Sequence, residues 1–151
     1  MRRYFLASLG VIGACTTSTV TQIQPSAAPA AVTAAFMQAV ADSNLPQMGQ
    51  LWGTAKGPAA VINSPANWAQ RIAVIHSYLK GGSAKVIGEG DPSTAKSDRR
   101  QILVELSRNG CVKTVPFDLV LTKQGSWLVH SVDLNAAGIP GKPCAASSNP
   151  K

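Results

Sequence analysis

The sequence lacks the motifs and the long apolar runs that mark several common protein classes. It has no P-loop, no GxGxxG loop, no HExxH helix and no GxSxG elbow, and its only histidines are His76 and His130. The apolar stretch from Tyr4 to Ala14 is shorter than the roughly 20 residues that a helix needs to cross a bilayer. We therefore find no signature of nucleotide binding, zinc proteolysis or serine hydrolysis, and no membrane-spanning helix.

Charge is also scarce and is not patterned. Charged residues make up 14% of the 151 residues, and the formal net charge is +7. The basic residues are scattered, and after the first few positions only Arg99 and Arg100 are adjacent. A nucleic-acid binder usually gathers its charge into a stripe with aromatic neighbours. We expect no nucleic-acid partner, and at most a mild attraction to anionic lipid or polymer.

The N-terminus has the layout of a cleavable leader. Arg2 and Arg3 precede the apolar stretch, which ends in Ile12-Gly13-Ala14-Cys15. These four residues resemble the bacterial lipobox, in which the cysteine thiol accepts a diacylglycerol and small residues let the backbone enter a peptidase. The resemblance implies a signal peptide over residues 1–14 and a lipid anchor on Cys15. A plain secretory leader that happens to contain a cysteine is the alternative.

The segment after Cys15 predicts a flexible linker and a subcellular location. Residues 16–31 are rich in Thr, Ser, Pro and Ala and carry no charge, so we expect a flexible tether over 15–30. Thr16 is not the aspartate associated with inner-membrane retention. The lipoprotein resemblance therefore implies the cell envelope, with the outer membrane facing the periplasm as the expected location. We expect one domain over 31–145 and a tail over 146–151.

Apolar spacing predicts helices in the first half of that domain. Residues 31–43 repeat apolar side chains at intervals of three and four, as in Val32, Phe36 and Val40, and a shorter helix should open at Leu45. A third helix is expected to start with Ser64 as N-cap and Pro65 in its first turn, and to stop before Gly81-Gly82.

After Gly82 the apolar period changes to two, which predicts strands. We expect strands over 85–88, 99–108, 112–122 and 126–133, with tight turns at Asn109-Gly110 and Gln124-Gly125. Pro116 suggests an edge position or a bulge. Helices followed by an antiparallel meander indicate an α+β domain, with the N-terminal helices packed on one face of a curved sheet of about four strands.

This order of elements resembles the nuclear transport factor 2-like (cystatin-like) superfamily. The features that carry the resemblance are the helical run to Leu79, the break at Leu51-Trp52-Gly53, the two hairpins and the final Trp127-Leu128-Val129. The resemblance is closer to the small lipoproteins of that superfamily than to its enzymes. It implies a sheet curved round a long helix, forming a cone with a pocket at its mouth.

The cysteines left after acylation form an even pair. Cys111 and Cys144 would lie in an oxidising compartment, so we expect a disulfide between them that pins the C-terminal tail, with two free thiols as the alternative. Neither has a histidine or cysteine at metal-ligand spacing, so we expect no metal site and no cofactor.

Two classes of function remain open. In a binding or interaction module, Trp52, Trp68, Tyr78 and Phe117 would contact a small ligand, or the sheet would dock an envelope partner or a second copy of the chain. The alternative is an enzyme similar to ketosteroid isomerase or a dehydratase, with His130 and Asp133 as acid and base. We favour the module. The residues that could line the pocket of such an enzyme are Trp52, Trp68, His76, Tyr78, Glu105, His130 and Asp133.

Overall fold

The computed structural model describes residues 28–91 and 96–142. The predicted signal peptide, nearly all of the tether, the tail over 146–151, Cys15 and Cys144 lie outside these residues. The described part is α+β, as predicted, with a four-stranded antiparallel sheet, a two-stranded sheet and several helices. None of the described helices has both the length and the apolar character needed to span a membrane.

The first two helices form close to where their apolar spacing predicts. Helix α1 spans Pro29–Ala41 and helix α2 spans Leu45–Leu51. Asn44 caps α2, because its side-chain oxygen accepts the Gln47 backbone N–H at 3.1 Å. The buried side chains of α1 lie on one face, which packs against the sheet.

A small hairpin and a short helix follow, where the sequence predicted only a break. Strands β1 (Gly53–Thr54) and β2 (Gly57–Pro58) pair antiparallel, and α3 spans Ala59–Ile62. Gly53 is required here, since a Cβ at this position would collide with the Gly57 carbonyl oxygen. The hairpin holds the chain beside the large sheet.

The predicted start of the third helix was wrong. Helix α4 spans Trp68–Leu79 with Asn67 as N-cap, and the Ser64–Pro65 peptide bond is cis. The Pro65 carbonyl accepts the Trp68 N–H at 2.9 Å, so the chain makes a turn through these residues before the helix begins. Ser64 is exposed and does not cap α4.

The large sheet is a meander with strand order β3-β4-β5-β6. Its strands are β3 (Ser83–Gly90), β4 (Arg99–Arg108), β5 (Cys111–Leu121) and β6 (Trp127–Val132). Pro116 is not on an edge strand, because β5 lies between β4 and β6. Its carbonyl accepts the Asp133 N–H at 3.0 Å, so its missing N–H faces β6 where that strand ends, and a register shift follows at Asp118/Leu119.

One face of the sheet carries the core. Phe36 of α1 meets Phe117 of β5 edge to face, with ring centroids 6.2 Å apart. On the opposite face Gln101 donates to Asp118 at 3.0 Å. Val120 is fully buried beside its strand partner Leu128, so it offers no exposed apolar surface for a partner.

The chain continues after β6 with one more short helix. Helix α5 spans Leu134–Ala137, with Asp133 as its N-cap. The Arg108 guanidinium holds the end of α5 by donating to the carbonyls of Ala137 (2.8 Å) and Gly138 (3.3 Å). It also donates to the Tyr78 carbonyl at the end of α4. One arginine therefore joins β4, α4 and the C-terminal segment.

Candidate functional site

An open groove runs between α4 and the last residues of β6 and encloses about 430 Å³. This volume lies in the range of small-molecule sites. Helix α4 forms one wall, the end of β6 and the start of α5 form the other, and Trp52 lies between them. The groove is lined by Trp52, Asn67, Gln70, Arg71, Val74, Ile75, His130, Ser131, Val132 and Leu134.

Trp52 occupies the groove because the chain joins the sheet at this point. Its backbone pairs with Val129 in a parallel bridge along the outer edge of β6. The side chain is only 6% exposed, and its Nε1–H is buried without a hydrogen-bond partner in the part of the chain that the structure describes. A buried unpaired N–H costs about 1–3 kcal/mol, so Trp52 is a place where the fold gives up stability.

His130 reaches the groove through a bulge in β6. Asp118 pairs with Ser131 and Leu119 pairs with Val129, so His130 is the extra residue between the two pairs. Its Nδ1 lies 2.9 Å from the Gly53 carbonyl oxygen. Since a carbonyl only accepts, Nδ1 carries the proton and donates it. In this tautomer of the neutral ring, Nε2 is an acceptor.

Arg71 is the single formally charged residue in the groove lining. Its Nε donates to the Asn67 side-chain oxygen at 3.1 Å, one helical turn earlier, which orients the guanidinium along α4. All seven acidic residues of the chain lie in the described part, and none forms an ion pair with Arg71 there. The remaining guanidinium N–H groups are thus available to an anionic ligand.

The structure brings two of the predicted site residues together and separates the rest. Trp52 and His130 line the groove. Asp133 does not join them, because its Oδ1 accepts the N–H groups of Asn135 and Ala136, both at 3.0 Å, and caps α5. Within the described residues no hydrogen bond links His130 to Asp133.

The other predicted contacts serve the fold or lie elsewhere. The Trp68 ring packs against Gly49, where any Cβ would collide with it, and its Nε1 donates to Asn63 at 3.2 Å. Phe117 is fully buried in the core. Tyr78 is half-buried near the end of α4, where its carbonyl binds Arg108.

Two further residues proposed for an enzyme pocket lie outside the groove. His76 Nε2 is 3.2 Å from the Ser43 hydroxyl, beside the loop after α1. Glu105 lies on the sheet face opposite the core, where its neighbours in the strand register are Lys85 of β3 and Thr114 of β5. Across residues 28–91 and 96–142, no three His, Cys, Asp or Glu side chains lie close enough to hold a metal ion.

Of the ten residues that line the groove, sequence reasoning named Trp52 and His130 for the site and missed the rest, among them Asn67, Gln70, Arg71 and Leu134. Arg71 was counted among the scattered basic residues, although it lies on α4 beside the buried Ile72 and Ile75. A cation beside an apolar stripe of a helix next to a pocket is a usable signal, but it requires knowing which flank of α4 faces β6.

A second cavity of about 340 Å³ lies between α1 and the edge strand β3. Backbone and small side chains from Gly81 to Ala84 form much of its wall, together with Met37 and Leu79. None of the residues predicted for the site reaches it.

The chain matches no model of a known protein family, and comparison with curated proteins and with solved structures finds no significant match. The site must therefore be interpreted from its own geometry.

Proposed function

We propose that the protein is an envelope lipoprotein, anchored through Cys15, whose domain binds a small amphipathic acid in the groove between α4 and β6. The observation that carries the binding proposal is the lining of this groove: an apolar floor beside an arginine that has no carboxylate partner among the described residues. The helices packed on one face of a four-stranded meander support assignment to the nuclear transport factor 2-like superfamily.

The apolar part of the groove suits a hydrocarbon or ring system. Ile75 is 7% exposed, and Val132 and Leu134 are half-buried around the core. Val74 is 50% exposed at the rim, although it is a large apolar side chain. Covering such surface contributes about 25 cal/mol per Å², so a ligand that covers the rim and floor gains affinity from both.

The polar part of the groove suits a ligand that carries an acidic group and a hydroxyl. Arg71 offers charge-assisted N–H donors to a carboxylate, sulfonate or phosphate. His130 Nε2 can accept from a ligand hydroxyl, because Nδ1 is held by Gly53. Gln70 adds an amide at the same wall. A ligand with an anionic head and an apolar body satisfies both halves of the groove.

The geometry favours binding over acid–base catalysis. A His/Asp pair needs its two side chains within hydrogen-bond reach of each other or of a shared substrate atom. Here the Asp133 carboxylate already accepts two backbone N–H groups of α5. The His130 ring is fixed by a carbonyl and not by a carboxylate.

The binding proposal is tested with decanoate and decanol as matched probes, using the quenching of intrinsic tryptophan fluorescence. Decanoate should bind the wild-type chain about two- to fivefold more tightly than decanol, because Arg71 is exposed and an ion pair in contact with solvent contributes up to about 1 kcal/mol. Arg71→Gln should remove this preference while leaving decanol binding unchanged.

Lys80→Gln is the matched control, since Lys80 is an exposed cation at the far end of the same helix. It should leave both affinities unchanged. Equal binding of decanoate and decanol by the wild-type chain would refute the acidic-ligand proposal. Failure of both probes to bind would refute the groove as a site.

The anchor is tested separately by expressing the chain in a bacterium fed radiolabelled palmitate. We expect label in the wild-type protein, none in Cys15→Ser, and a mature mass that lacks residues 1–14. Retention of Met1 without label would refute the anchor.

A further inference from the structure

Basic side chains that are scattered in the sequence gather at one end of the large sheet. Arg99 and Arg100 begin β4, and the Arg99 N–H donates to the Lys96 carbonyl at 3.1 Å. Lys123 lies in the β5–β6 turn, and its N–H donates to the Ala55 carbonyl at 3.3 Å, which brings Lys56 to the same place. We call this group the basic end; it comprises Lys56, Lys96, Arg99, Arg100 and Lys123.

The basic end is open to solvent and is not neutralised by ion pairs. Lys56, Lys96 and Lys123 are exposed. Every acidic residue of the chain lies in the described part, yet none of them forms an ion pair with these five cations there. The Arg100 guanidinium instead lies 5.6 Å from the centroid of the Trp127 ring.

Four carboxylates lie toward the same end and reduce its charge without cancelling it. Glu89 and Asp91 belong to the edge strand β3 and the residue after it, on the side away from β6. Asp98 precedes Arg99 in the turn that opens β4, and Asp118 of β5 accepts from Gln101 and Ser131. Five cations against four anions leave an excess of one positive charge.

The chain also enters the domain from this side. The C-terminal residues of α1, Val40 and Ala41, lie beside Arg108 and Asn109, at the opposite end of the sheet from Arg99 and Trp127. Helix α1 also packs on β6, and Phe36, near the middle of α1, contacts Phe117, beyond the midpoint of β5. Pro29, at the start of α1, therefore points toward the basic end.

The proposed tether would keep this end close to the membrane. About a dozen residues separate Cys15 from Ala28, and a flexible chain of that length would span about 20 Å on average. Electrostatic attraction decays over about 8 Å at physiological ionic strength. A domain anchored in this way would sample distances at which an anionic surface can orient it, and weak attraction would suffice because a tether supplies a high effective concentration.

From this juxtaposition we propose that the basic end rests on the anionic phospholipid headgroups of the membrane that holds the Cys15 anchor. The inference rests on the proposed anchor. It sets the orientation of the molecule, because the groove lies toward the other end of β6, at His130 to Val132. The groove is then farther from the bilayer than the β5–β6 turn.

The test uses the acylated mature protein reconstituted in vesicles of phosphatidylcholine alone or with 30% phosphatidylglycerol. Lysines are acetylated with an N-hydroxysuccinimide ester, and the rate at each lysine is measured by peptide mass spectrometry. Lys56, Lys96 and Lys123 should react about fivefold more slowly with phosphatidylglycerol present, and about 0.5 M NaCl should abolish the difference. Lys80 and Lys113, at the other end of the molecule, are internal controls whose rates should not change.

Charge variants sharpen the test. Arg99→Gln combined with Lys123→Gln should remove the protection of Lys56 and Lys96, whereas Lys80→Gln combined with Lys113→Gln should retain it. Equal rates in the two vesicle types for the wild-type protein would overturn the proposal. Protection by heparin in neutral vesicles, with none from phosphatidylglycerol, would assign the basic end to a soluble polyanion and would also overturn it.

Failure of the anchor is distinguishable from failure of this orientation. If the N-terminal peptide carries no acyl group, the anchor is wrong, and the same chain is then sedimented with both vesicle types. Binding that requires phosphatidylglycerol would still support the basic end as a membrane contact, and absence of such binding would overturn it.

Discussion

Replacing Arg108 with methionine should destabilise the domain more than any other change of a single charged residue that we consider. The guanidinium donates to four carbonyl oxygens. Two of them, those of Tyr78 and Lys80, lie at the end of α4, and the other two, those of Ala137 and Gly138, lie at the end of α5. Hydrogen bonds that involve a charged group contribute about 1.5–3 kcal/mol each. A cation at a helix C-terminus adds a few tenths of a kcal/mol.

Part of this contribution is lost to water, because Arg108 is only half-buried and the freed carbonyls can be hydrated. Methionine also keeps the packing of the aliphatic stem. We therefore expect Arg108→Met to lower the free energy of unfolding by about 2–4 kcal/mol, which is a large fraction of the 5–15 kcal/mol typical of a domain. Arg108→Lys should cost less, because it keeps the charge but loses the planar fork.

Urea unfolding followed by circular dichroism measures the effect. With a slope of about 1–3 kcal/mol per M, the midpoint should fall by roughly 1–2 M. Arg99→Met is the matched control, since Arg99 is also half-buried but its side chain forms no hydrogen bond in the described part of the chain. Its effect should stay within about 0.5 kcal/mol. A change of that small size for Arg108→Met would refute the role of Arg108 as the link between β4, α4 and α5.

Three further substitutions test the packing by thermal or urea unfolding. Gly82→Ala should lower the free energy of unfolding by at least about 2 kcal/mol, because φ is 153° and a Cβ would collide with the Ser107 carbonyl oxygen. Gly81→Ala should lower it by only about 1 kcal/mol, since its φ of 80° is unfavourable but its Cβ would meet nothing within 4 Å. Similar losses for the two variants would contradict the collision. Trp52→Phe should lower the free energy of unfolding by less than about 1 kcal/mol, because the gain from removing an unpaired buried N–H offsets the loss of packing. A loss above about 3 kcal/mol would show that this N–H is paired. Phe117→Ala should cost about 3–5 kcal/mol, and a loss below about 1 kcal/mol would contradict its position in the core.

The fold class was predictable because the apolar period changes once along the chain. Spacing of three and four gave α1, α2 and most of α4, and alternation after Gly82 gave the four strands of the meander. The Asn109-Gly110 turn lies where its chemistry requires, with φ of 50° and 73°. Local pattern could not find β1, β2 or α3, because these elements are too short to show a period.

The start of α4 was misplaced for a different reason. Ser64-Pro65 has the composition of a helix start, but the backbone turns once more before Asn67. Capping propensity ranks candidate residues and cannot say which turn of the chain precedes the helix.

The site was predictable only in part, since it depends on contacts between distant elements. Trp52 and His130 were named from their residue types, and the groove contains both. Asp133 was expected beside His130, yet its place at the start of α5 gives its carboxylate two backbone donors. Arg71 carries no local signal, because its role follows from the approach of α4 to the end of β6. The same holds for the basic end, where a backbone hydrogen bond from Lys123 to Ala55 brings the neighbouring Lys56 close to Lys123.

The central claim is that the groove, and not the cavity between α1 and β3, takes an amphipathic acid. The most direct measurement is a titration of the ¹⁵N-labelled protein with decanoate, followed in ¹H–¹⁵N correlation spectra. We expect shifts of the Trp52 indole N–H and of the backbone amides of Gln70, Arg71 and residues 130–132, with those of residues 81–86 unchanged. Shifts confined to residues 81–86, or no shifts at millimolar decanoate, would contradict it.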